Sequence, residues 1–413
     1  MPIGHRPPNA NAHAPLPKLG LLPAAIISAF VPHSATVQQQ AGVAPAPTPP
    51  ATANQLPPKA TQPVPDAAAA PPPAPEPAAP PGTSLVGWVT GPDSPNDTLA
   101  RFAISGTDLG IMWDNGAHTV LMAFGDTSGY CSVPGHQWRY NTLMRSQDGS
   151  LANTISVANS PLWARGISKQ IINSTRWAPS ETGIIPTAGV SVGNTQYLNF
   201  MSIRSWDANG AWTTNYSATA VSPDNGERWG IYPGSVRTAS PDSVPRVGFV
   251  AGNQNFQQSA FLRPGPGDPY LYTFGTPSGR GGSAYIARVR PAAVPDLTKY
   301  EYWNSDNNAW VPNNPAAATP VIPGPLGEMS AQYNTYLRQY LALYCNGGND
   351  VVMRTAPAPQ GPWGPEQLLV PSMQFPGGIY APFLHPWSTG RELYFNLSEW
   401  QAYNVMLMKT VLP

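Results

Sequence analysis

The sequence predicts an all-β body, a β-propeller with room for five blades, preceded by a disordered Pro/Ala-rich N-terminal tail. Three observations carry this expectation. Of the 52 prolines, 22 fall within the first 82 residues. From residue 100 onward, short alternating or apolar runs are separated by clusters of Gly, Asn, Asp and Pro, the rhythm of strands and turns. A turn followed by tryptophan recurs, ending at Trp212, Trp229, Trp310 and Trp363, without a strict period. Repeated four-stranded sheets with loops of unequal length have this signature, and roughly 330 residues shared among five blades give about 66 each. A β-sandwich is compatible with the same pattern.

The tail divides in two. Within residues 1–35, Arg6 and Lys18 precede the apolar run LGLLPAAIISAFVP and the small residues of HSA, which is the order of a secretion signal. That run is too short to cross a bilayer, so the mature protein is expected to have no stable membrane span. The signal-like order points to a protein secreted or held in the cell envelope, the alternative, which Pro23 and Pro32 in the run keep open, being a cytoplasmic protein with a disordered tail. Residues 36–82 have almost no aromatic or branched side chains to offset chain entropy, and read as a stiff, extended tether. The folded body is then 83–413.

Within the body, GIMWDNGAHTVLMAFGD reads as a hairpin with Asn115-Gly116 at its turn. The stretch from Thr195 to Trp229 holds at least three strands, turning at DANG and PDNG. Further strands are read in YLYTFGTPSGRGGSAYIARVR, YEYWNSDNNAWV, YNTYLRQYLALYCNGGNDVVMRTA and ELYFNLSEWQAYNVMLMKTV, with no long amphipathic helix among them. The segment SPDNGERW fits Ser-x-Asp-x-Gly-x-x-Trp, which resembles the Asp-box hairpin of sialidase-type propellers. Asp224 is therefore expected to hold its own turn by accepting backbone N–H bonds.

Charge narrows the function. The chain carries 22 basic and 22 acidic side chains, so it lacks the basic field that nucleic acid requires. Thirteen Trp and 17 Tyr set against 11% charged residues suit a neutral, partly apolar ligand such as a polysaccharide. The six histidines are scattered and Cys131 and Cys345 lie far apart, so spacing assembles no metal site and no cofactor is expected. The two cysteines allow one disulfide or two separate thiols.

The candidate chemistry is carboxylate chemistry. Asp126 follows the apolar strand LMAFG at its mouth, where a propeller's innermost strand opens on the central funnel. Asp108 in SGTDLGI lies 18 residues earlier and would face Asp126 if the hairpin pairs the two strands. Two opposed carboxylates are what glycoside hydrolysis uses, one as acid on the leaving oxygen and one as base or nucleophile. Asp beside Gly is also an ordinary turn residue. Glu181 and Glu328 open strands in similar surroundings, where a third acid would tune the pair or bind a sugar hydroxyl, or would simply hold a turn. Arg139, Tyr140 and Asn141 follow the Asp126 loop and are candidates to grip hydroxyls, Arg139 alternatively as a structural partner of Asp126. His385, beside Pro386 and Trp387, either reaches the funnel or packs.

Together TDLG, FGDT with its WRYN continuation, ETGIIPTAGV, GEMSAQYN, Ala356 to Trp363 as AxxPxGPW, IYAPFLHP and SEWQAYNVML resemble the domain of unknown function 4185, grouped as glycoside hydrolase family 183, the endo-D-arabinanases of mycobacteria and related actinobacteria. The resemblance covers nearly the whole body and leaves out the tail. It implies a five-bladed β-propeller that cuts internal α-D-arabinofuranosyl bonds in the cell-wall D-arabinan of arabinogalactan and lipoarabinomannan without a cofactor; the chain itself is expected to be a monomer. It also implies that Asp108 and Asp126 are the catalytic pair.

Overall fold

The computed structural model describes residues 82–413, so the expected leader at 1–35 and nearly all of the tether at 36–82 lie outside the described residues. Five antiparallel sheets radiate from one axis. Blade 1 is Ile111–Asp114, Val120–Phe124 and Thr142–Ser146. Blade 2 runs outward through Gly183–Val192, Thr195–Trp206 and Trp212–Ser222, edged by Gly230–Ile231 and Arg237–Thr238. Blade 3 starts at Gln258–Leu262 and continues through Leu271–Thr276, Gly282–Val289, Glu301–Asn304 and Ala309–Pro312. Blade 4 is Met329–Asn334, Gln339–Cys345, Val351–Ala356 and Gln367–Val370. Blade 5 is Ile379–Leu384, Glu392–Glu399 and Asn404–Val411, and its outermost strand is Ser84–Trp88 from the other end of the body. The innermost strands touch in ring order and the fifth returns to the first, which closes the five-bladed propeller the sequence predicts.

Packing explains why so many strands read as continuous apolar runs. There are five hydrophobic clusters, one at each blade interface. Side chains alternate across a strand, so VLMAF sends Leu121 and Ala123 into the interface with blade 2 and Val120, Met122 and Phe124 into the interface with blade 5. A blade covered on both faces has no polar face, and simple hydrophobic alternation disappears. Helix is almost absent: the α-helix among the described residues is Thr98–Phe102, and no helix there is long and apolar enough to cross a membrane.

The SPDNGERW turn is built as expected. Asp224 Oδ1 accepts from Ser222 Oγ at 2.9 Å and from the Arg228 N–H at 2.9 Å, while Trp229 Nε1 donates to the Gly226 carbonyl at 3.0 Å. Trp229 then packs edge-on to Trp113 of blade 1, with ring centres 6.4 Å apart, so the turn also seats one blade on the next. Asp224→Ala is expected to lower stability by about 1–2 kcal/mol in urea denaturation without changing the cavity described below. The two cysteines are separate thiols, Cys131 exposed and Cys345 buried in the cluster between blades 4 and 5, so the disulfide they allow is not formed.

Candidate active site

A cavity of about 450 Å³ opens at one mouth of the central channel, and all five innermost strands contribute to its wall through Ile111, Ile185, Gln258, Met329 and Tyr380. Asp108, Asp126 and Glu328 line it together, bringing three of the sequence-predicted residues to one place.

Hairpin register produces the aspartate pair. Ile111 stands opposite Ala123 in the blade 1 ladder, and Gly106 stands opposite Ser128 in an outlying bridge of the same register. Asp108 therefore faces Asp126 across the hairpin. Below the pair the Thr107 and Thr127 hydroxyls meet at 2.7 Å, and the Gly125 N–H donates to the Asp108 carbonyl at 3.2 Å. The glycine before Asp126 now has a reason: a Cβ on Gly125 would stand 2.4 Å from Asp108 Oδ1, so only a residue without one lets the carboxylate occupy that position.

The two carboxyls are costly to ionise. Burial raises Asp108 to about 7; the Tyr380 hydroxyl, donating to its Oδ2 at 2.9 Å, opposes this, Glu328 adds to it and Arg280 subtracts. Burial, reinforced by the charge of Asp108, raises Asp126 to about 8. Oδ1 of each is buried without a hydrogen-bond partner. The Tyr403 phenol, close to both, is pushed up by burial and by the two aspartates.

Around the pair, Glu328 is held by Arg280 through two contacts of 2.6 and 3.1 Å, and Arg280 also donates to the Gly210 carbonyl. The guanidinium sits 4.7 Å from the Trp212 ring centre, 5.2 Å from Trp400 and 5.5 Å from Tyr380. Tyr380 stacks on Trp400 at 4.1 Å. Trp138 and Trp206, each about half exposed, stand on the rim. Three cavity residues, Leu109, Ala381 and Tyr403, hold left-handed backbone at φ 71, 52 and 48°. Strain of this kind, about 1–3 kcal/mol per residue, persists where the surrounding structure fixes a functional geometry.

The other expected residues lie elsewhere. Glu181 is outside the cavity wall and accepts from three hydroxyls, Ser174 Oγ, Ser202 Oγ at 2.6 Å and the Tyr216 hydroxyl at 3.1 Å, so it ties its loop to two strands of blade 2 and neither lines the funnel nor bonds turn backbone. Arg139 is buried, lies outside the wall of this cavity and makes no bond to Asp126. It donates to the Ser168 and Phe102 carbonyls at 2.9 and 3.4 Å, clamping the loop to the Thr98–Phe102 helix. Tyr140 packs against the blade 1–2 cluster. Asn141 is wholly buried and spends its amide on the Ile172 and Ile184 carbonyls and its oxygen on the Ile171 and Ile172 N–H groups. His385 is fully buried against Trp387, and burial lowers it to about 4.

Sequence reasoning missed Arg280, Tyr380, Trp400 and Tyr403. Tyr380, Trp400 and Tyr403 lie inside IYAPFLHP and SEWQAYNVML, and only their place in those motifs marks them. Arg280 sits in the Gly-rich turn PSGRGGS, where nothing local gives an arginine a purpose.

The family model described as Domain of unknown function (DUF4185) matches residues 93–409. Notoamide biosynthesis cluster protein J of Aspergillus sp. (strain MF297-2) is 25% identical over 323 residues, 73% of this chain and 81% of that protein. Protein J' of Aspergillus versicolor is 26% identical over 318 residues, 73% of this chain and 83% of its own length. Among solved structures, a protein of Bacteroides ovatus ATCC 8483 superposes with a TM-score of 0.51 at 12% identity, over 76% of this chain and 88% of that one. The catalytic domain of Coprinopsis cinerea GH62 α-L-arabinofuranosidase gives a TM-score of 0.45 at 13% identity, over 80% and 96%. At such identities the likeness is one of fold.

Proposed function

This chain belongs to the DUF4185 family, and on that premise we propose that it is a glycoside hydrolase, an endo-D-arabinanase that cuts internal α-D-arabinofuranosyl bonds with Asp108 and Asp126. The observation that carries the reading is the opposed pair: two buried carboxyls, raised to about 7 and about 8, facing one cavity whose rim is aromatic. Near neutral pH such a pair holds one proton between them, which is the state glycoside hydrolysis starts from. A sialidase-like alternative needs several arginines converging on a carboxylate, and the arginine lining this cavity, Arg280, is already committed to Glu328.

A neutral furanose chain lies on the rim tryptophans with one glycosidic oxygen over the pair. One aspartic acid protonates that oxygen as the anomeric carbon becomes oxocarbenium-like, and the other carboxylate bonds that carbon or activates water against it. The polymer is the D-arabinan of mycobacterial arabinogalactan and lipoarabinomannan, met by a secreted or envelope-held monomer. Residues 1–35 act as its export signal and 36–82 as a spacer ahead of the catalytic body.

The test is to incubate the full chain with mycobacterial arabinogalactan and follow the products. Short D-arabinose oligosaccharides are expected; polymer bound but uncut would make the protein a carbohydrate-binding propeller instead. Trp138→Ala removes a half-exposed rim surface that makes no hydrogen bond to either carboxyl, so KM is expected to rise about tenfold with kcat retained, in steady-state kinetics on arabinan.

A further inference from the structure

We propose that the Tyr380 hydroxyl makes the two aspartates unequal: by donating to Asp108 it keeps that carboxylate ionised and leaves the shared proton on Asp126. This rests on the hydrolase reading above and assigns the roles within it, with Asp126 as acid, Asp108 as base or nucleophile and Tyr380 as the positioning residue.

Position in the hairpin makes the two aspartates near equivalents, since they face each other across one ladder. Their partners do not. Asp108 Oδ2 accepts from the Tyr380 hydroxyl at 2.9 Å, whereas Asp126 accepts no hydrogen bond from any described residue and its Oδ1 is buried. A donor to a carboxylate favours its charged form, and a buried carboxyl oxygen without a donor favours the protonated one. The other charged groups at the pair do not reverse this. Arg280 favours an ionised Asp108, Glu328 opposes it, and these two neutralise each other across 2.6 Å. Tyr403 is a phenol pushed up by burial and by both aspartates, and stays neutral.

Tyr380 is fixed for this task. The innermost strand of blade 5 loses register between Tyr380 and Phe383, where it pairs with Glu392–Glu399, and Ala381 turns left-handed within that bulge. A bulge re-aims the side chain beside it, and here the aim is locked by the stack on Trp400 and by the Arg280 guanidinium. Burial and the neighbouring Asp108 push the phenol well above its ordinary value, so it remains a donor throughout the working range.

In the reaction, the anomeric carbon–oxygen bond breaks and its electron pair passes to the departing oxygen, which takes the Asp126 proton. Asp108 either bonds the anomeric carbon, to be displaced later by water, or removes a proton from the water that attacks it. In both routes water supplies the new hydroxyl and returns one proton to the pair.

Tyr380→Phe keeps the ring, the stack and the cation contact and removes only the donor. Its kcat/KM on arabinogalactan is expected to show the acidic limb moved up by about one pH unit, with the alkaline limb, set by Asp126, in place. An unmoved acidic limb, or movement of the alkaline limb, overturns the assignment. A second reading needs no turnover: in the wild-type chain with ¹³C-labelled aspartate carboxyls, assigned through Asp108→Asn and Asp126→Asn, Asp108 is expected to lose its proton first. Asp126 losing its proton first overturns the proposal however active the enzyme is. The expected order in a protein that cuts no arabinan supports the unequal pair and removes the hydrolase reading instead.

Discussion

Asp126→Asn is expected to lower kcat/KM on D-arabinan by about 10²- to 10⁴-fold and at the same time to raise the thermal midpoint at pH 8 by about 3 °C. Both effects come from one cause. Asp126 is raised to about 8 by burial and by Asp108, so the fold favours its protonated form. Its contribution to stability is complete below the ordinary aspartate value and is lost as pH climbs through about 8. Asn cannot ionise, so melting curves of parent and variant should coincide near pH 4 and separate progressively toward pH 8. Asp108→Asn should behave alike, with the separation growing from near pH 4 and levelling off above about pH 7. A variant that lost activity and stability together at every pH would mark a structural aspartate, not a working one.

Gly125→Ala is expected to cost about 10²-fold in kcat while leaving most of the stability intact. The added methyl would meet Asp108 Oδ1 at 2.4 Å, and that carboxylate, not the blade, must give way. Displacing a reacting group by about 1 Å is enough for a loss of this size. Steady-state kinetics beside circular dichroism would check it, since an unfolded variant loses both signals and a displaced carboxylate loses only the first.

The neighbourhood of the aspartate pair was legible because Asn115-Gly116 announces a hairpin, but its register was not. A two-residue turn there would set Asp108 opposite Ala123. The turn instead spans Asn115 to Thr119, with the Asn115 N–H donating to the Thr119 carbonyl at 2.9 Å, which pairs Asp114 with Val120 and brings Asp108 opposite Asp126. Asn141 and Arg139 show the opposite case. Both follow the Asp126 loop, but their side chains turn into the blade to satisfy backbone groups that a loop leaves unpaired, and sequence adjacency does not carry that direction. Glu181 and Glu328 open strands in similar surroundings, yet only Glu328 faces an arginine across the channel mouth. Tyr380 was hidden because the bulge that aims it suspends the two-residue period on which strand reading depends.

The strand Ser84–Trp88 pairs with Asn404–Val411, and beyond its end the Thr83 and Thr410 hydroxyls, 327 positions apart in the chain, meet at 2.8 Å. On the ribosome, the first strand of this body is therefore made long before its partner exists. Until the last residues emerge, blade 5 stays unzipped and its neighbours expose apolar faces, so ring closure is a late, slow event of high contact order. Under the export proposed above, that delay is useful: a nascent chain that cannot finish folding is one that a translocation machine can still thread.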